Sequence, residues 1–179
     1  MNMKCIFKIS SVVLAGLSVG VGIFVYTGAY NVAADDHHTR PVSALLQVVR
    51  ERAITARARD LAVPSNLGNP ELVLKGAGQY AAMCEDCHLK PGKNNSEIRV
   101  GLYPHPPDLA HNRIAPGHAF WVIKHGIKMT AMPAWGLNHD DDTIWSIVAF
   151  LQILPKLSPD QYRDLVKRAP PDEEMKMGS

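Results

Sequence analysis

Cys84-Glu85-Asp86-Cys87-His88 is the stretch on which the rest of the chain depends. Two thiols three residues apart lie on one helical turn and can each add across a vinyl group of haem, and the adjacent imidazole can then reach the iron as proximal ligand. The same string occurs in zinc sites, but zinc needs a further ligand pair at short spacing. The one other cysteine, Cys5, lies far upstream ahead of an apolar run. A thioredoxin-like dithiol wants a βαβ setting, and the surrounding pattern is helical. The pentapeptide therefore reads as the attachment site of a c-type haem.

The flanks of this motif carry helix signals. Upstream, Asn69-Pro70 reads as an N-cap and first helical residue, opening a helix that brings Leu72, Leu74, Ala77, Tyr80 and Ala81 toward the motif. Gly76 and Gly78 each cost such a helix about 1 kcal/mol relative to alanine, so a close approach of another backbone is expected there. The candidate partner is the last strong helix, capped by Asp140-Asp141-Asp142 and running from Thr143 to Leu154, where Pro155 stops it. Its residues Ile144, Ile147, Val148, Leu151 and Leu154 form a buried face, with Trp145 and Phe150 available for the crossing.

Between these helices, Lys90 to Ala115 is rich in proline, glycine and asparagine and reads as a long loop. Within it, Pro106-Pro107-Asp108-Leu109 is a rigid turn, one of whose carbonyls is placed to accept the proton on the second nitrogen of His88. A helix from Pro116 to His125 is expected to bring Phe120, Trp121 and Ile123 near the porphyrin. The loop Gly126 to Trp135 supplies a thioether as second axial ligand, a soft neutral donor that raises the haem potential. Met132 and Met129 are both candidates; Met132, stiffened by Pro133, is preferred.

The amino-terminal part has another character. Lys4 and Lys8 are followed by no charged residue from Ile9 through Ala34, a run long and apolar enough to span about 30 Å of hydrocarbon. It reads as an uncleaved anchor, or as a signal peptide cut near Val32-Ala33-Ala34. Lysines before it and Asp35-Asp36 after it leave the amino terminus cytoplasmic and export the remainder. His37 and His38 read as a solvated junction. From Pro41 to about Ala62 an apolar stripe at helical spacing is accompanied by five arginines and one glutamate between Arg40 and Arg59. Such a basic amphipathic helix either lies on anionic headgroups, docks a partner, or packs on its own domain. A turn-rich linker, Val63 to Pro70, follows.

Taken in order, Gly76, Tyr80, Cys84-Glu85-Asp86-Cys87-His88, Pro107, Leu109, Gly126 to Met132-Pro133 and a last helix with Phe150 resemble a class I cytochrome c, especially the membrane-anchored monohaem cytochromes of bacterial respiratory chains. The resemblance covers residues 70 to 155. It implies an all-α, class I cytochrome c fold wrapped around one haem c, with Cys84, Cys87, His88, Met132, Pro107 and Leu109 as cofactor-binding residues and His88 and Met132 on the iron. Gly76 and Tyr80 would meet Phe150, and Pro107 would orient His88. The stretch from Lys90 to Pro106 is longer than in the smallest members of that family.

The expected organisation is a signal anchor or transmembrane segment over 1–34, an amphipathic helix and linker over 35–69, the haem domain over 70–157, and a short helix with a polar, disordered tail over 158–179. A filled sixth position leaves no vacant iron site for a substrate, so the expected output is one electron, passed between periplasmic or membrane-bound redox proteins. Alternatives are a subunit of a dehydrogenase or oxidase complex and a haem-based sensor or gas-binding protein. The expected setting is the bacterial inner membrane with the haem domain periplasmic. A net charge of +2 over 179 residues gives no case for nucleic acid as partner, and no small-molecule substrate is expected. Lys90, Lys93, Lys124 and Lys128 are candidates for a patch that steers an acidic partner.

Overall fold

The computed structural model describes residues 3–171, and over them the chain is helical, with no strand among the described residues. The polar tail expected after Pro170 lies, beyond Pro171, outside the described residues. The chain divides into two compact units, Met1–Asp36 and His37–Ser179. The first holds helix α1 (Met3–Tyr26), whose described side chains are all exposed. At 1.5 Å rise per residue its 24 residues extend about 36 Å, and it is long and apolar enough to cross a membrane.

The second unit contains α2 (Arg40–Ala58), α3 (Pro70–Met83), the single turns α4 (Glu85–His88) and α5 (Glu97–Val100), α6 (Pro116–His125), α7 (Asp141–Leu151) and α8 (Pro159–Arg168). Short 3-10 turns, Trp135–Leu137 and Leu154–Lys156, flank α7. The starts follow from the local sequence. The Asn69 side chain accepts from the Glu71 amide at 2.9 Å, with Pro70 in the first turn, where its missing N–H costs nothing. Asp140 accepts from the Thr143 amide at 2.7 Å. Ser158 and Gln161 form a reciprocal capping box on α8, at 3.2 and 2.8 Å.

Two helices end earlier than their periodicity suggests. Helix α7 stops at Leu151, not Leu154, because Pro155 cannot continue it and the Leu154–Lys156 turn takes over. Helix α2 stops at Ala58, not Ala62; Leu61 turns back to bond the Ala58 carbonyl at 3.4 Å and packs its side chain against the core.

The core is the crossing of α3 and α7, with α6 on α7 and α8 on α3. The crossing needs Gly76: a Cβ there would stand 1.9 Å from the Ser146 carbonyl oxygen and 2.9 Å from the Phe150 Cβ. Beside it Tyr80 and Phe150 are fully buried with ring centroids 5.4 Å apart. Burying Ile144, Ile147 and Phe150 contributes about 1.5–3 kcal/mol each by transfer from water. Gly78 admits Ala169 from the end of α8, whose Cβ would lie 2.9 Å from an added Cβ. On the other flank Phe120 of α6 stacks on Trp145 of α7, centroids 4.1 Å apart.

Candidate functional site

The crossing leaves α4, the long loop, α6 and the Met132 loop around a cavity of about 540 Å³, within the range of cofactor pockets. Cys84, Cys87, His88, Pro107, Leu109 and Met132 all line it.

One wall is made where α3 passes into the single turn α4. The amide of Cys84 still bonds back to Tyr80, and the His88 amide bonds the Cys84 carbonyl at 2.8 Å, which keeps both thiols and the imidazole on one turn. Leu89 then reverses the chain with φ +66. That reversal is held by the buried Tyr80 hydroxyl, which donates to the Leu89 carbonyl at 2.5 Å. Burial and the neighbouring Cys87 push the Cys84 thiol up to about 12, and burial with the nearby Asp86 carboxylate raises Cys87. As free side chains both are therefore un-ionised at neutral pH.

His88 donates its Nδ1 proton to the Pro107 carbonyl at 2.9 Å, leaving Nε2 without a proton and able to bind a metal. Partial burial lowers the imidazole below its ordinary range, against the Pro107 bond and with the Arg99 guanidinium. The neutral ligand form is thereby favoured. The loop that offers Pro107 is fastened in several places. The Leu109 amide bonds the His88 carbonyl at 3.0 Å, and Arg99 donates to the Pro106 carbonyl at 3.0 Å. Arg99 comes from α5, a turn inside the stretch expected to be a loop; Ser96 caps it and also donates to the Asp86 carbonyl.

The opposite wall is the loop after α6. Gly126 takes φ +64, and a Cβ there would fall 2.7 Å from the Met132 carbonyl oxygen, so a side chain would prise the loop open. Ile127 donates to that carbonyl at 3.2 Å. Thr130 Oγ1 donates to the Ile127 carbonyl at 2.8 Å and accepts from the Met132 amide at 3.1 Å. This closed ring of bonds leaves Met132 lining the cavity, whereas Met129 sits at φ +58 with its side chain 99% exposed.

Several side chains fall elsewhere than the sequence suggested. Of α6, His118, Ala119, Val122 and Ile123 line the cavity, the last three being three and four apart on one helical stripe. Phe120 instead stacks on Trp145, and Trp121 lies against His125, so the expectation that both aromatics approach the porphyrin is corrected. Of the four candidate docking lysines, Lys90 pairs with Glu85 and Lys124 with Asp141, both at 2.6 Å, which leaves Lys93 and Lys128 as the exposed members. His37 is exposed, as expected of a solvated junction, and it also stacks on Tyr103 of the long loop with centroids 4.3 Å apart; His38 is half-buried and its amide donates to the Tyr103 hydroxyl at 3.3 Å. Among the described residues no cluster of three or more His, Cys, Asp or Glu is arranged to hold a metal ion.

Residues that the sequence did not single out also line the cavity. Helix α2 contributes Arg50, Glu51 and Ile54, and the partly exposed Arg113 and His118 lie with them. His118 Nε2 stands 3.9 Å from Glu51. No local signal marks these positions; only the packing of α2 on α6, where Gly117 lets the Ala58 carbonyl come close, brings them to the site.

This donor set fits haem. Two thiols, a neutral imidazole with one free nitrogen and a thioether line one largely apolar cavity, and Arg50 and Arg113 in the same lining are of the chemistry that would pair with propionate carboxylates. A family model described as cytochrome c oxidase, cbb3-type, subunit III, matches residues 71–151. No curated protein and no solved structure matches the chain significantly. The match begins at the start of α3 and ends with α7, leaving α1, α2 and α8 outside it. Residues 71–151 are therefore a class I cytochrome c domain, the electron-transfer unit of a chain that carries one covalently bound haem c.

Proposed function

We propose that this chain is a monohaem electron carrier between periplasmic or membrane-bound redox proteins, with His88 and Met132 as the axial ligands. One observation carries the reading: His88 and Met132 line the same cavity, while Met129, the other thioether of the loop, is exposed to solvent. Bound haem supplies the redox chemistry, its iron passing between ferric and ferrous states. The residues do the rest. Cys84 and Cys87 would hold the ring, Pro107 fixes the tautomer of His88, Thr130 and Gly126 hold Met132 in place, and the apolar side chains of the lining would limit water around the iron.

Helix α1 is the membrane anchor in this reading, with the amino terminus cytoplasmic and residues 70–157 forming the exported haem domain. The family model carries the name of an oxidase subunit, which favours, as a second reading, a place within a membrane oxidase or dehydrogenase complex. Potentiometric titration of the haem-loaded chain, followed by carbon monoxide added to the reduced form, tests the proposal. A reversible one-electron curve and an unchanged reduced spectrum under carbon monoxide are expected. Ready carbon monoxide binding contradicts a closed sixth position and favours a gas-binding protein; co-purification with a larger redox complex selects the subunit reading.

A further inference from the structure

Helix α2 lies outside the matched domain, yet it has two different faces. Ile54 is buried, and Glu51 lines the cavity beside it. About 130° around the helix from Ile54, at 100° per residue, runs a second apolar stripe of Val42, Leu45, Leu46 and Val49. Each of these side chains is between 45% and 63% exposed, and no described residue of the second unit covers them. Four large aliphatic side chains at i, i+3, i+4 and i+7 on a solvent face form a patch that needs an occupant.

Charge says which occupant. Arg52 and Arg57, both exposed, flank the stripe about 70° to either side of its centre, and Arg59 follows on the Arg52 side. The one acidic residue between Arg40 and Arg59, Glu51, points away from the stripe and is bonded to Arg50 at 3.1 Å. An apolar stripe edged on both sides by arginine suits the boundary between acyl chains and anionic headgroups, where the stripe enters hydrocarbon and each guanidinium meets phosphate. The tether agrees: residues 27–39 join α1 to α2 and reach at most about 50 Å.

We infer that α2 lies on the surface of an anionic phospholipid membrane through Val42, Leu45, Leu46 and Val49, with Arg52 and Arg57 on the headgroups. This rests on α1 as the anchor. Its consequence is orientation: because Arg50, Glu51 and Ile54 line the haem cavity from the far side of the same helix, a seated α2 fixes how the cavity is turned relative to the bilayer, with α2 between the two.

The test uses the full haem-loaded chain with Cys5→Ser, reconstituted in nanodiscs of equimolar phosphatidylcholine and phosphatidylglycerol or of phosphatidylcholine alone. Nitroxide labels are placed at Leu46→Cys or, on the other face, Gln47→Cys. In the anionic discs the label at position 46 is expected to become accessible to oxygen and shielded from a water-soluble nickel chelate. The label at 47 is expected to stay open to the chelate. Arg52→Gln with Arg57→Gln is expected to return position 46 to water while leaving the haem spectrum unchanged. A label at 46 that stays open to the chelate in anionic discs, or is shielded equally in both lipids, overturns the proposal. Shielding from oxygen and chelate together, growing with protein concentration, overturns it in favour of a second copy on the stripe. A chain that stays out of the discs overturns both this proposal and the anchor; one that enters them with position 46 in water overturns this proposal alone.

Discussion

His88 and Pro107, nineteen residues apart, are joined by a 2.9 Å hydrogen bond from the imidazole Nδ1 to the proline carbonyl oxygen. Through it the long loop fixes the tautomer of the residue on which the site depends. The neighbouring carbonyl, that of Pro106, is held by Arg99.

Arg99 therefore both clamps that loop and places a positive charge near His88. Replacing it by methionine removes a charge that disfavours ferric over ferrous iron, and frees the turn to move. The haem potential of Arg99→Met is expected to fall on the order of tens of millivolts, a one-electron shift of ~59 mV being a tenfold change in equilibrium. Redox titration of both proteins measures it, and Arg99→Lys is expected to recover only part because lysine cannot reproduce the planar fork.

At the helix crossing, Gly76→Ala places a methyl group 1.9 Å from the Ser146 carbonyl oxygen, a backbone atom that cannot swing aside. Separation of α3 and α7 is expected to cost about 1–3 kcal/mol or more. Denaturant unfolding of the haem-loaded proteins reads this as a lower midpoint. Gly68→Ala, with open space around the glycine, is the control and is expected to stay close to wild type.

The cap of α7 gives a pH dependence. The bonds from the Thr143 amide and hydroxyl hold the Asp140 carboxyl below its ordinary range in the folded chain. Its contribution is therefore full above the unfolded value of ~4 and is lost as pH falls through the lower folded value. Asp140→Ala is expected to lose about 1 kcal/mol at neutral pH. The difference from wild type should shrink in acid; a difference constant with pH would mean that the carboxylate does not act as the cap.

Much of this architecture was legible because its signals are local. The Cys84 to His88 turn follows from covalent chemistry, and the caps at Asn69, Asp140 and Ser158 follow from side chains reaching amides two or three residues on. Gly76 was readable as a close approach because a glycine inside a helix needs a reason. What escaped depends on tertiary phase. Phe120 and Trp121 are the large side chains of α6, but its rotation turns the smaller Ala119 and Val122 to the cavity beside Ile123, the member expected there. Arg50 and Glu51 carry no local mark at all and reach the cavity only because α2 packs on α6. Thr130 carries no local mark either, since its hydroxyl closes the Met132 turn only in the folded loop.

The most direct measurement is the oxidised near-infrared absorption of the haem-loaded wild type, Met132→Ala and Met129→Ala. Sulfur bound to ferric haem gives a weak charge-transfer band there. The account predicts that wild type and Met129→Ala show the band and that Met132→Ala lacks it. A wild type without the band, or a band lost in Met129→Ala and kept in Met132→Ala, would contradict the His88/Met132 carrier.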